Sequence, residues 1–123
     1  MAQQTILVVD DKTVWHILLG KLFVRHGYRV LTVSSCAAAI KTAARFRPGC
    51  VVLDFRLGDG TAETVCTAIR AHERRRTPII IFSGDPAAEN CVGGKDGADK
   101  FLPKLTPLKE LLAVVNALLA GQK

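Results

Sequence analysis

Near its start the chain carries the sequence ILVVDD, from Ile6 to Asp11. The four apolar residues before the acidic pair form an unbroken run, which is typical of a strand buried on both faces in a parallel sheet covered by helices. The segment from Ile79 to Phe82 is another such run. The two segments therefore predict interior strands of one parallel sheet.

Apolar periodicity along the rest of the chain predicts five strands that alternate with five helical segments. The predicted strands are Thr5–Asp10, Arg29–Val33, Cys50–Asp54, Pro78–Ser83 and Asp99–Pro103. The predicted helices are Thr13–His26, Ser35–Phe46, Thr61–Glu73, a weak one at Pro86–Val92, and Thr106–Ala120. This alternation predicts a single α/β domain over residues 1–123, a doubly wound five-stranded parallel sheet of flavodoxin-like (βα)5 topology.

Local signals predict how the helices pack and where they begin. One stripe of the first helix should face the sheet, and it consists of Trp15, Leu18, Leu19, Leu22 and Phe23. The last helix should begin with Thr106 as its N-cap and Pro107 in the first helical position. The fourth helical segment should be short, because it runs into Gly93-Gly94 and each glycine costs roughly 1 kcal/mol relative to alanine in a helix.

Composition and cysteine usage favour a soluble cytoplasmic domain. Of the residues, 49% are hydrophobic and 23% are charged, and no apolar run approaches the roughly 20 residues that span a bilayer. No basic segment precedes the first apolar run, so no signal peptide is predicted. The cysteines lie far apart in sequence and are expected to be reduced and buried rather than bridged or bound to metal. They are Cys36, Cys50, Cys66 and Cys91.

The formal net charge of +6 has its densest focus at Arg74-Arg75-Arg76. These arginines are predicted to close the third helix, where cations complement the helix dipole and face solvent. Nucleic-acid binding would need a broader basic stripe with exposed aromatic residues or a recognisable reading motif, and the sequence has neither. We therefore do not expect this domain alone to bind nucleic acid, nor to bind a membrane.

Polar residues follow the predicted strands at their carboxyl ends: Asp10, Asp11, Asp54, Ser83 and Lys104. In an open α/β sheet ligands bind at this edge, so these side chains should converge. A single aspartate at a strand end often only caps the next helix, and such capping is the alternative role for Asp10 and Asp11. Clustered carboxylates repel one another unless a cation or proton is present, so the cluster predicts a hard divalent cation with oxygen ligands, Mg²⁺.

Four segments resemble the landmarks of bacterial response regulator receiver domains. They read ILVVDD (6–11), VVLDFRLGDG (51–60), TPIIIFSG (77–84) and GADKFLPK (97–104). They occur in the order and at the spacing of that family, and the resemblance covers essentially the whole chain. It implies a two-component phosphorelay switch, not an enzyme, that accepts a phosphoryl group from a histidine kinase or a histidine phosphotransfer protein.

The resemblance also implies roles for individual residues around the predicted metal. Asp54 would be the nucleophile that becomes an acyl phosphate, and it would also bind Mg²⁺. Asp11 would bind the metal directly, Asp10 directly or through water, and the backbone carbonyl of Arg56 would complete the protein ligands. The bound metal would offset the repulsion between carboxylate and phosphoryl oxygens.

Three further residues would respond to the phosphoryl group. Lys104 would pair with one phosphoryl oxygen and Ser83 would hydrogen-bond another, moving toward the site. Phe101 would change rotamer with that movement, and the alternative is that this aromatic residue only fills a core position.

The sequence departs from the family pattern in the loops. In the family the lysine that corresponds to Lys104 is usually followed by a proline, with a cis peptide bond between them. Here Leu105 follows Lys104, and the proline, Pro103, precedes it. A cis bond before a non-proline residue costs roughly 2.5–4 kcal/mol, so the Lys104–Leu105 bond is predicted to be trans. After the predicted nucleophile, Gly58 stands where proline is frequent, and a turn accounts for Asp59-Gly60 without any chemistry.

Two helix faces are candidate docking surfaces. On the first helix Val14, Ile17 and Val24 should face solvent, and the family resemblance implies that the histidine-bearing helices pack there, although scattered exposed apolar residues need no explanation. On the last helix the face opposite the buried leucines carries Ala113, Val114 and Ala117, which would suit a homodimer or an output partner. The high helix propensity of alanine accounts equally well for its presence there.

Other functions are less consistent with the same residues. An aspartyl-phosphate phosphatase of the haloacid dehalogenase type needs a second aspartate two residues after its nucleophile. Two residues after Asp54 this chain has Arg56, and two residues after Asp10 it has Lys12. A flavin carrier of similar topology needs a phosphate-binding loop after strand one, where the acidic pair would repel phosphate. A phosphorylation-independent interaction module remains open, as does whether an output domain follows residue 123.

Overall fold

The computed structural model describes residues 3–121. The strands are β1 Thr5–Val9, β2 Arg29–Val33, β3 Cys50–Leu53, β4 Arg56–Leu57, β5 Gly60–Thr61, β6 Ile79–Ser83 and β7 Lys100–Pro103. The helices are α1 Thr13–Arg25, α2 Cys36–Phe46, α3 Ala62–His72 and α4 Leu108–Ala120, and a 3-10 helix covers Pro86–Cys91. None of the helices in this part of the chain is long and apolar enough to cross a bilayer.

The main sheet has five parallel strands in the order β2-β1-β3-β6-β7, and β4 and β5 form a separate two-stranded antiparallel pair. Alternate residues of the unbroken apolar runs face opposite sides. Leu7 and Val9 pack beneath α2 and α3, whereas Ile6 and Val8 pack beneath α1 and α4. The predicted doubly wound parallel sheet, buried on both faces, is confirmed.

Two predictions about the first and last helices were wrong in detail. Leu18 is 41% exposed, because it lies at the margin of the buried stripe, which centres on Leu19 and Phe23. The last helix begins at Leu108, with Pro107 at the N-cap in an extended conformation (φ −56°, ψ 139°). The fixed φ of proline is compatible with extended as well as helical backbone, so Pro107 takes the N-cap position and Thr106 lies one residue before it.

The arginine run does not close the third helix as predicted. Helix α3 ends at His72 with Glu73 as its C-cap, so Arg74, Arg75 and Arg76 lie in the loop that leads to β6. The Nε atom of Arg76 lies 3.0 Å from Asp99, which is at the start of β7. The whole basic run therefore belongs to a loop, and its charge acts there instead of on the helix dipole.

The remaining predictions about local structure hold. The fourth helical segment is a short 3-10 helix, and both glycines after it have positive φ, 97° and 73°, a conformation that favours glycine. The Lys104–Leu105 peptide bond is trans. Each of the cysteines is buried and free, as expected of small reduced apolar residues.

Candidate functional site

Three carboxylates come together where β1 and β3 end. These strands are neighbours with Val9 opposite Leu53, so the residues that follow them leave the sheet side by side. Asp10, Asp11 and Asp54 each offer an oxygen, and these oxygens lie within 4.8 Å of one another. Asp10 is buried, Asp54 is half-buried and Asp11 is exposed. Such a set of oxygen atoms can hold a hard divalent cation.

Two ammonium groups lie at this edge: the mostly exposed one of Lys12, whose Nζ is 3.9 Å from Oδ1 of Asp11, and the largely buried one of Lys104. The Nζ of Lys104 lies 2.7 Å from Oδ2 of Asp10 and 3.9 Å from Oδ2 of Asp54. The same nitrogen lies 4.3 Å from the ring centroid of Trp15 and 5.6 Å from that of Phe82. The two aromatic rings meet edge to face, so they form an apolar wall that attracts the ammonium by cation–π interaction. The sequence assigned Trp15 only to the packing stripe and missed this contact.

Ser83 ends β6 on the same edge and is buried. Its Oγ accepts a hydrogen bond from the backbone N–H of Asp85 at 3.2 Å. Its carbonyl accepts one from the backbone N–H of Lys104 at 3.1 Å. The hydroxyl and the ammonium are thus tied to each other through the backbone, next to Asp54.

Burial raises the pKa of the Asp54 carboxyl above its ordinary value. The Lys104 ammonium acts in the opposite direction, while the neighbouring Asp10 carboxylate raises the pKa further. Hydrogen bonds from Ser83 and from the backbone N–H of Phe55, the latter at 2.8 Å, lower it. The net effect is upward, which means that ionisation of Asp54 is held back and that a further cation at this edge would restore it.

An ion pair crosses the surface beside the carboxylates. Arg56 begins β4 two residues after Asp54, and its Nε lies 2.6 Å from Oδ2 of Asp85, which precedes the 3-10 helix. Asp85 also accepts a hydrogen bond from the backbone N–H of Ala87 at 2.9 Å. The backbone hydrogen bond and the guanidinium together lower the pKa of Asp85. Sequence reasoning considered only the carbonyl of Arg56. The Asp-Pro pair at the helix start was a visible capping signal, but the ion pair was not.

Two other polar side chains brace this edge and were not predicted. The Nε2 of His16, in α1, lies 2.7 Å from the carbonyl oxygen of Asp10 and 3.1 Å from that of Val33. Because carbonyl oxygens only accept, this nitrogen carries the proton that joins the ends of β1 and β2. Asp59 accepts hydrogen bonds from the backbone N–H groups of Cys36 and Ala37, at 2.8 and 3.0 Å. The interpretation of Asp59 as a plain turn residue was therefore incomplete, because it caps α2.

The residues predicted to transmit the phosphorylation signal or to dock a partner differ in their exposure. Phe101, in β7 opposite Ile81, is half-buried against the apolar cluster beneath α2 and α3. On α1 the predicted docking residues are exposed, namely Val14, Ile17 and Val24. On α4 Ala113 and Ala117 are exposed, whereas Val114 is half-buried and packs against the core. The α4 face is therefore less open than the sequence predicted, since one of its members already has contacts.

The chain matches known proteins over most of its length. A sequence model described as response regulator receiver domain matches residues 6–116. Response regulator MprA of Mycobacterium leprae is 32% identical over 118 residues, which are 96% of this chain and 52% of that protein. Transcriptional regulatory protein PrrA of Mycobacterium tuberculosis is 34% identical over 115 residues, 93% of this chain and 49% of that protein. The chain thus spans about half the length of the curated relatives it matches.

Solved structures agree with these matches. The receiver domain of sensor histidine kinase PA1611 from Pseudomonas aeruginosa is 29% identical with a TM-score of 0.87, and the alignment covers 98% of this chain and 100% of that one. That structure has a magnesium ion coordinated in its active site cleft. The order of elements, the convergence of the strand ends and the match over residues 6–116 all lead to one conclusion. The chain belongs to the response regulator receiver domain family of two-component systems.

Proposed function

We propose that Asp54 accepts a phosphoryl group from a histidine kinase or a histidine phosphotransfer protein in a Mg²⁺-dependent reaction. The observation that carries the proposal is the convergence of three carboxylates and the Lys104 ammonium at the carboxyl edge of the sheet. In this function the domain is a cytoplasmic switch in phosphorelay signalling, and it has no enzymatic activity toward other substrates.

The charges at this edge suit one divalent cation. Asp10, Asp11 and Asp54 bring three negative charges when ionised, which exceed the charges of the Lys104 ammonium and of the mostly exposed Lys12 ammonium beside Asp11. The donors are oxygens, which Mg²⁺ prefers, and the backbone carbonyl of Arg56 would complete the protein ligands. When bound, the metal would offset the repulsion between the carboxylates and an incoming phosphoryl group.

The side chains can then perform the transfer. An ionised oxygen of Asp54 attacks the phosphorus of a phosphohistidine, the P–O bond forms as the P–N bond breaks, and the imidazole leaves with the electron pair of that bond. Lys104, 3.9 Å from Asp54, is close enough to turn from Asp10 to a phosphoryl oxygen. Its compact charge and the wall of Trp15 and Phe82 keep it at this edge.

Transmission would begin at Ser83. Its hydroxyl would donate to a phosphoryl oxygen, and in doing so it would leave the backbone N–H of Asp85 that it now accepts from. Phe101 is on the neighbouring strand, two residues before the partner of Ser83 in the register, Pro103. A shift of β6 would therefore reach the half-buried ring of Phe101, whose rotamer would report it.

The acceptor assignment is tested by intact-mass measurement after incubation with acetyl phosphate and Mg²⁺. We expect one phosphoryl group on the wild type and none on Asp54→Asn. The matched control is Asp96→Asn, which removes an exposed aspartate from the loop before β7, and it should label like the wild type. Equal labelling of Asp54→Asn and wild type would show that another residue is the acceptor. Absence of both labelling and Mg²⁺ binding in the wild type would favour a phosphorylation-independent interaction module.

Docking of the phosphodonor protein is proposed for the exposed apolar residues of α1, namely Val14, Ile17 and Val24. They begin one turn from the carboxylates, so a partner helix packed there could present its histidine to Asp54. Ile17→Asp should slow transfer from the cognate kinase about tenfold or more and leave labelling by acetyl phosphate unchanged. Equal loss in both reactions would indicate damage to the fold or the pocket instead.

The output surface is proposed on the face of α4 that includes Ala113, Val114 and Ala117, either for a second copy or for another partner. The two exposed alanines allow close approach of a helix. Because Val114 is half-buried, the substitution that tests the surface without disturbing the core is Ala113→Glu. Sedimentation with and without beryllofluoride should show association that this variant loses. Unchanged association in both states would exclude this face.

A further inference from the structure

A cleft of about 720 Å³ opens between the carboxyl-terminal ends of α2 and α3. These ends lead into β3 and β6, so the cleft lies at the amino edge of the sheet, opposite the carboxylates. Its apolar lining consists of Ile40, Ala43, Ala44, Pro48, Ala68 and Ile69. The cleft is of the size that small ligands occupy in proteins, which is roughly 300–1,000 Å³.

The rim of the cleft is strongly basic: Arg47, His72, Arg74, Arg75 and Arg76 line it. The acid that lines it with them, Glu73, accepts hydrogen bonds from Arg70 at 2.7 Å and from the backbone N–H of Thr77 at 2.8 Å. That carboxylate is therefore already used, and it does not neutralise the rim.

Three of the rim guanidinium groups are free to meet a ligand. Arg76 pairs with Asp99, but the side chains of Arg47, Arg74 and Arg75 make no ion pair or hydrogen bond with any residue between 3 and 121. Arg47 also has a left-handed backbone, with φ 46°, where glycine or asparagine is the usual residue. The backbone alone does not account for an arginine at that position.

We propose that this cleft binds a soluble amphiphilic anion, a small molecule with a carboxylate or phosphate head and an apolar body. The head would meet Arg47, Arg74 and Arg75, since guanidinium groups bind both kinds of oxyanion through paired hydrogen bonds. The body would cover the alanines and isoleucines of the lining. Nucleic acid suits the cleft less well, because among the described residues its lining contains no Phe, Tyr or Trp for bases to stack on, and His72 is its one aromatic ring.

The test is a titration of the ¹⁵N-labelled protein followed by amide chemical shifts. The probes are decanoate and decyl phosphate below their micellar concentrations, with decanol as the tail alone and inorganic phosphate as the head alone. The amides of Ala44, Ala68 and Ile69 should shift saturably with either amphiphile, at a dissociation constant below about 1 mM. Decanol and inorganic phosphate should each bind at least about tenfold more weakly.

Variants separate the two parts of the site. Arg74→Gln with Arg75→Gln should weaken both amphiphiles about tenfold and leave decanol unchanged, whereas Ala68→Leu should weaken all three by filling the cleft. The matched control is Arg25→Gln with Arg29→Gln, which removes two exposed arginines from the end of α1 and the start of β2 and should change nothing. Unchanged melting temperatures and unchanged labelling of Asp54 establish that each variant is folded.

Several results would overturn the proposal. One is equal binding of decanol and decanoate, because the arginines would then play no part. Another is a shift map centred on the exposed apolar residues of α1 instead of the cleft. Binding to phosphatidylglycerol vesicles without binding of either soluble amphiphile would also overturn it, in favour of a general attraction of the basic rim to anionic surfaces.

Discussion

Two clusters of charged side chains lie at opposite edges of the sheet, and they differ in how far their charges are satisfied. At the amino edge the side chain of Arg70 is 2% exposed, and it donates to Glu73, to Asp99 and to the carbonyl oxygens of Thr77 and Gly97. At the carboxyl edge three carboxylates face the largely buried ammonium of Lys104 and the mostly exposed ammonium of Lys12, 3.9 Å from Asp11.

The difference separates a structural cluster from a binding site. Arg70 and Arg76 balance Glu73 and Asp99, and Asp99 additionally accepts from the backbone N–H of Ile79 at 2.8 Å. Such a cluster is complete without a ligand, and it holds the ends of α3, β6 and β7 together. The carboxylates at the other edge leave negative charge in excess, which a divalent cation would balance. A cluster of unbalanced charges is thus the better indicator of function.

Removal of the buried guanidinium of Arg70 is expected to have the largest effect on stability. Arg70→Met should lower the free energy of unfolding by about 3 kcal/mol or more, because two acids and two carbonyl oxygens lose their partner. Arg76→Met, whose side chain is 46% exposed, should cost less than about 1 kcal/mol. Urea unfolding measures both. Equal costs for the two variants would mean that the amino-edge cluster contributes no more than a surface ion pair.

Addition of Mg²⁺ should affect only the carboxyl edge. At a concentration of 100 times its dissociation constant the metal should raise the free energy of unfolding of the wild type by about 2.7 kcal/mol. Asp11→Asn should lose most of this gain, because it removes an exposed ligand without disturbing the Lys104–Asp10 contact. Asp96→Asn is the control and should keep the gain. A full gain in Asp11→Asn would place the metal elsewhere.

Two aspartates on the carboxyl edge should respond to pH in opposite directions in metal-free buffer. The pKa of Asp54 is raised by burial, so its contribution to stability is present below its unfolded value near 3.8 and is lost as pH rises through the folded value. The pKa of Asp59 is lowered by the N–H groups of Cys36 and Ala37, so its contribution is present above that value and is lost as pH falls.

The two neutral variants reveal this difference. From about pH 3 to 7, Asp54→Asn should gain stability relative to the wild type, whereas Asp59→Asn should lose it. Urea unfolding at several pH values gives, for each variant, the slope against pH of its free energy of unfolding relative to the wild type. The sign of each slope is the test, because the effects are small. Slopes of the same sign would contradict the raised pKa of Asp54 and the lowered pKa of Asp59.

The sequence predicted the carboxyl edge better than the amino edge. Asp10, Asp54 and Ser83 directly follow or end apolar runs, and the parallel topology alone brings such positions together. Arg70 gave no comparable signal, because arginine is ordinarily exposed and its partner Asp99 is distant in sequence. Only Glu73, three residues further along the helix, was within reach of a sequence argument.

Contacts between loops were equally hidden from the sequence. The pairs Lys104 with Trp15 and Arg56 with Asp85 join segments whose distance depends on loop conformation. The start of α4 was misjudged for a related reason, since proline is compatible with both the first helical position and the extended residue before it. Local chemistry limited the possibilities there, and tertiary packing decided between them.

The cap that Asp59 provides for α2 gives the molecule a built-in spectroscopic reporter. The amide protons of Cys36 and Ala37 are held by a carboxylate that belongs to the loop after Asp54, not by their own helix. Their exchange with solvent therefore requires that this loop move away. Exchange rates at two positions on a neighbouring helix would record how ordered the loop is, without any label placed near the carboxylates themselves.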